Sequence, residues 1–71
     1  MQVGPKLTKI RLGRKIQKIR KRTRISQEKL AEKINISRTH MGHIEQGRKS
    51  PSLKVLTRIA KALHVKVSEL F

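Results

Sequence analysis

Residues 26–47 read SQEKLAEKINISRTHMGHIEQG. Ser26 can cap a helix in which Leu30, Ala31 and Ile34 fall on one face, with Glu28 favourably placed in the first turn. Ser37 can cap a second helix, which Gly47 ends. At 100° per residue Met41 and Ile44 share one side of it, with Ser37 between them and Glu45 at the margin. Thr39, Gly42, His43 and Gln46 lie on the other. Only Ile34-Asn35-Ile36 separates the two helices. So short a link forces a steep crossing; Ala31 is small where they would meet, Asn35 tolerates a left-handed backbone, and Ile36 can plug the corner.

The flanking sequence continues in helices. In LGRKIQKIRKRT, starting at Leu12, the positions Leu12, Ile16, Ile19 and Thr23 keep helical spacing among basic neighbours. After RKSPS, with Ser50 or Ser52 as cap and Pro51 as start signal, a fourth helix places Leu53, Leu56, Ile59, Ala60 and Leu63 on one face. A last turn or two from Val67 to Phe71 closes over the core. VKV at 65–67 is the only strand-like fragment, so the chain is read as all-α with five short helices. Gly4 and Pro5 punctuate the start, so residues 1–9 are expected to form a flexible basic arm ahead of a domain over 10–71.

The 71 residues suffice for one small domain, which buries only about 60% of its unfolded surface. Cysteine is absent, so neither a disulfide framework nor a thiolate metal site is available. The net charge is +15, and residues 1–24 carry ten cations and no acid. A polyanionic partner follows, nucleic acid or an anionic membrane surface. No apolar run reaches the roughly 18 residues that cross a bilayer, and no secretory signal is present; a cytoplasmic, nucleoid-associated protein is expected. Against the membrane, the apolar faces are needed by the core; against RNA, Phe71 is the only aromatic residue. An enzyme is not expected either, since without Asp, Cys or a glycine-rich phosphate loop the usual catalytic constellations cannot be assembled.

The steep pair at 26–47 is a helix-turn-helix arrangement, a spacing shared with corners in other helical bundles. The run ISQEKLAEKINISRTHMGHIEQGRKSPSLKVLTRIAKALHVKVSELF, with LGRKIQKIR ahead of it, resembles the Cro and lambda-repressor family, also called the xenobiotic-response-element (XRE) family. The resemblance covers Leu12 to Phe71. It rests on the SQ-x-x-LA opening, the IS cap, the IE-x-G end, the PSL start and the IAKAL-x-V-x-x-x-EL finish; the family's common turn glycine is Asn35 here. It implies a compact five-helix lambda-repressor-like domain that binds operator DNA, commonly as a dimer.

On that reading the helix from Ser37 enters the major groove, and Arg38, Thr39, Gly42 and His43 are the candidates for base contact. The guanidinium of Arg38 fits guanine O6 and N7 or clamps a phosphate. Thr39 meets a base or stays in solvent. Gly42 either admits close approach to DNA or is merely tolerated, and His43 is read as a groove contact. His40 is a phosphate neighbour or a packed ring, and Gln46 a phosphate contact. The resemblance assigns phosphate positioning to Gln27 and to a second clamp of Ser37, Arg48, Lys49 and Lys54, although Lys49 also suits a solvated loop. It implies an ion pair between Arg20 and Glu45. The His40–His43 spacing also suits a metal, but with no Cys, Asp or well-spaced third histidine no metal or other cofactor is expected.

Val65, Val67, Leu70 and Phe71 supply more apolar surface than a closing turn needs, so a homodimer through this end is expected. It would read a palindromic operator with recognition helices about 34 Å apart. The competing class is an antitoxin or bridging-type protein-interaction module with the same fold and a protein partner. The excess charge of residues 6–24 serves either to reach DNA beside the operator or simply as a solvated face.

Overall fold

Among the described residues four α-helices and a 3-10 turn follow one another: α1 (Pro5–Arg22), α2 (Gln27–Ile34), α3 (Arg38–Glu45), α4 (Leu53–Ala62) and the turn Val67–Leu70. The computed structural model describes residues 5–71, with side chains from residue 8 onward. Among the described residues there is no strand, and no helix is long and apolar enough to cross a membrane. The fifth helix expected from the sequence is thus a single 3-10 turn, held by the Glu69 carboxylate accepting from the Lys66 N–H at 2.6 Å.

Each helix boundary has a local cause. Ser26, Ser37 and Ser52 have extended backbones, and their hydroxyl oxygens accept from the N–H groups of Lys29, His40 and Val55 at 3.0, 2.9 and 3.1 Å. Such caps contribute about 1 kcal/mol each. Pro5 starts α1, because at the first helical position its fixed φ and missing N–H carry no penalty. Residues 5–9 therefore lie inside α1, not in an arm; residues 1–4 of that expected arm lie outside the described residues.

The four C-termini share one solution. Arg24, Asn35, Gly47 and His64 have φ of 59°, 62°, 77° and 58°. In each case the N–H of the left-handed residue bonds back three residues, and the next N–H bonds back five, as in Asn35 to Glu32 and Ile36 to Ala31. This Schellman arrangement satisfies the last carbonyls and turns the chain sharply. After three of the four turns an apolar residue, Ile25, Ile36 or Val65, packs against the core.

The core comprises Leu12, Ile16 and Ile19 of α1, Leu30, Ala31 and Ile34 of α2, Met41 and Ile44 of α3, Leu56, Ile59 and Ala60 of α4, then Leu63 and Leu70. Three expected positions depart from this. Thr23 is exposed beyond the end of α1, and its hydroxyl donates to the Arg20 carbonyl. Leu53 is 74% exposed because it begins α4 outside the area the other helices cover. Leu70, expected at a dimer interface, is fully buried within one chain, so it is already spent on the monomer core.

Two contacts fix α3 against α1. Gly13 lies where the helices touch backbone to backbone: a Cβ there would collide with the Ile44 carbonyl oxygen and lie 2.7 Å from that of Glu45. Beside it stands the buried pair Arg20 and Glu45, only 8% and 4% exposed. Arg20 Nε donates to Glu45 Oε2 at 2.6 Å and Nη2 to Oε1 at 3.0 Å, while Nη1 holds the Ile25 carbonyl at 2.8 Å. The bidentate geometry satisfies both charges, whereas removing one would strand the other out of water. Glu45→Ala is expected to lower unfolding stability by about 3–5 kcal/mol, read by urea denaturation, and the pairwise replacement Arg20→Met with Glu45→Leu to recover most of that loss. A single variant as stable as the parent would remove the brace from the account.

Candidate nucleic-acid interface

The outer side of α3 and the start of α2 enclose a shallow, open hollow lined by Gln27, Arg38, Thr39, Gly42, His43, Gln46 and Arg48. Every residue expected to meet bases is therefore in one place. Of the residues expected to meet phosphate, Gln27, Gln46 and Arg48 join them. Ser37 is exposed at the α3 cap, while Lys49 and Lys54 are exposed in and after the following loop, outside the hollow. His40 is half-buried and also lies outside it.

Gln27 couples this surface to the core. Its Nε2 donates to Glu45 Oε1 at 3.1 Å, so the carboxylate held by Arg20 also holds the side chain opening α2. The Gln27 carbonyl oxygen then lies over Gly42, 3.5 Å from where a Cβ would stand. Gly42 is buried, which corrects its expected place among the exposed base contacts: the Gln27 side chain lies across it. The spacing rule put Gly42 on the outer side of α3; the side chain that covers it comes from another helix.

Arg38 and Glu28 were not linked in the sequence. Arg38 Nη1 stands 3.9 Å from Glu28 Oε2, with both side chains about seven-tenths exposed. An ion pair this open contributes at most about 1 kcal/mol, so the guanidinium can be released to a stronger acceptor. The signal for it was the acid placed in the first turn of α2, one helix away from the only cation that opens α3.

The site presents hydrogen-bonding groups of several kinds. Among the described residues no group of three or more His, Cys, Asp or Glu is placed to hold a metal ion. The first backbone N–H groups of α2 and α3 have no partner within their own helices, since the serine caps bind the third, and each helix start favours an anion. The hollow thus joins two fork-shaped cations, a hydroxyl, an imidazole and two amides with helix N-termini on its border. That combination can read base edges and grip phosphate oxygens.

Known proteins share this fold. The helix-turn-helix family model matches residues 16–70. The control protein C.MunI of a Mycoplasma species is 44% identical over 64 residues, covering 89% of this chain and 86% of that protein. The immunity repressor of Bacillus phage phi105 is 44% identical over 57 residues, 80% of this chain; the match spans only 40% of the repressor's length. The crystal structure of the restriction-modification controller C.AhdI from Aeromonas hydrophila superposes with a TM-score of 0.87 at 30% identity, covering 90% of this chain and 97% of that one.

Gly42 gives a test of how the hollow is built. A Cβ there meets Gln27 at an ordinary contact distance, and alanine is the better helix former by about 0.8–1.0 kcal/mol. Gly42→Ala is expected to raise unfolding stability by about 0.5–1 kcal/mol in urea denaturation. A loss of stability would mean that Gln27 cannot move aside.

Proposed function

The chain belongs to the Cro/C1-type helix-turn-helix family of DNA-binding transcriptional regulators, and on that premise we propose that it is a small repressor or controller that reads an operator through the outer face of α3. The observation that carries this reading is the convergence of Arg38, Thr39 and His43 with Gln27, Gln46 and Arg48 on one open surface. Arg38, Thr39 and His43 contact base edges in the major groove. Gly42 takes part by seating Gln27 beside them.

Phosphates on either side of the groove are held by two clamps. One is Gln27 with the N–H groups that open α2. The other runs through Ser37, Gln46, Arg48, Lys49 and Lys54 around α3 and the start of α4. His40 is near enough to the α3 cap to add to the second clamp. The four helices and closing turn over residues 5–71 form the DNA-binding unit, and the protein acts in the cytoplasm, at the nucleoid.

The operator is a palindrome read by a homodimer. Phe71, 68% exposed, offers the apolar surface, with the half-buried Val65 and Val67 alongside. Two copies joined there would present two α3 helices to successive turns of the major groove, about 34 Å apart. The C.AhdI and C.MunI relatives, named as a restriction-modification controller and a control protein, support a regulator of this size.

Selection of binding sites from a random duplex pool at about 0.15 M salt tests the proposal, because bare phosphate attraction is weakened there. The expected product is a palindrome with half-sites roughly 10 base pairs apart. Arg38→Ala should then cost about 1–3 kcal/mol and relax preference at one base pair per half-site. Recovery without a consensus would overturn operator reading and favour an antitoxin or bridging module whose α3 face meets a protein.

A further inference from the structure

The charge on α1 is not used by the α3 surface. Arg11, Arg14, Lys15, Lys18, Lys21 and Arg22 are all exposed, and among the described residues none of them has an ion-pair partner. At 100° per residue they occupy an arc of about 120°, opposite the buried side made by Leu12, Gly13, Ile16, Ile19 and Arg20. That buried side packs on α3 and on the closing turn. The outer side of α1 therefore faces away from the helix that holds the base-reading residues.

We infer that this outer face of α1 is a second, sequence-independent DNA site, which grips the phosphate backbone of another duplex while α3 holds the first. No acid interrupts the six cations, and like charges three and four residues apart repel one another on a helix. Elsewhere the chain does mix its signs: α2 sets Glu28 and Glu32 among Lys29 and Lys33. A polyanion lying along α1 turns the repulsion into attraction. From Arg11 to Arg22 the stripe runs about 16 Å, close to five phosphates of one strand. Duplex DNA fits better than RNA loops, because the stripe itself carries no aromatic side chain and the single ring of Phe71, beside Arg11 and Lys15 at one end, is no stacking platform along it. It also fits better than a lone anion, since the hollow that Arg11 and Lys15 share with Phe71 holds only two of the six cations, and only an extended ligand can meet them all.

A bridging assay with plain non-operator duplexes tests this. One duplex is fixed to beads and saturated with protein at about 0.15 M salt, where screening confines each charge to its own face; a fluorescent second duplex is then added. The parent should capture it. The fourfold variant Arg14→Gln, Lys15→Gln, Lys18→Gln, Lys21→Gln should lose that capture at least tenfold while holding the first duplex within about threefold, with the salt slope of capture falling by roughly 3–4. The charge-keeping variant Lys15→Arg, Lys18→Arg, Lys21→Arg should capture as the parent does and melt as the parent does, while the fourfold variant, relieved of repulsion along α1, should melt no lower than the parent.

Three results would overturn the inference: no capture by the parent, equal capture by parent and fourfold variant, or equal loss of both duplexes in the variant, which would make α1 part of the first site. None of these depends on an operator being found, so failure of operator reading shows separately in the random-pool selection.

Discussion

The Glu45 carboxylate is the point on which the rest of the molecule turns. It receives Arg20 from α1 and Gln27 from the start of α2, and Arg20 in turn ties down the carbonyl of Ile25 in the link between those helices. Three helices are thus referred to a single buried group that itself lies at the end of α3. In water such a pair contributes little; here each partner keeps the other from being an uncompensated charge in the core. Its geometry also sets the distance between the side chain that opens α2 and the side chains that leave α3, which is the distance a DNA backbone would have to match.

Gly13 makes that arrangement possible. The Arg20 side chain reaches Glu45 only because α1 lies against the last carbonyls of α3, and it can lie there only without a side chain at residue 13. One turn further on, Gly47 ends α3 with a left-handed backbone and sits against Ile10 of α1, where a Cβ would come within 2.8 Å of backbone and side chain. Two glycines and one ion pair therefore set the α1–α3 contact, and the apolar residues around them fill the space this leaves.

The helices, their serine caps and the steep turn at Asn35 were legible because they depend on neighbours in sequence. Periodicity located Leu12, Ile16, Ile19, Met41, Ile44 and Ile59, all buried as expected. It failed where the answer depended on what stands opposite. Leu53 keeps the spacing of the α4 face but has nothing over it, and Leu70 looks surplus until α1 and α4 are seen to close around it. Pro5 was read as punctuation, although proline at a first helical position is also a start. Gly42 was assigned to the right helix face but without Gln27 on top of it. The brace itself was legible only through family resemblance, since Arg20 and Glu45 are 25 residues apart.

Charge and stability are coupled in this chain. A core of thirteen buried apolar residues among the described residues leaves a modest margin for a chain of 71, and a net charge of +15 works against the compact state. Any ligand that binds the folded form alone adds RT ln(1 + [L]/Kd), about 2.7 kcal/mol at a hundredfold excess over Kd. For this protein that ligand is a polyanion, which adds binding energy and relieves self-repulsion at once. The surfaces that carry the repulsion, the α3 border and the outer side of α1, are those DNA would cover. If both proposed surfaces bind DNA, an acidic substitution on either would steady the free protein and weaken the bound one, and the basic excess would then answer to the bound state and not to the fold.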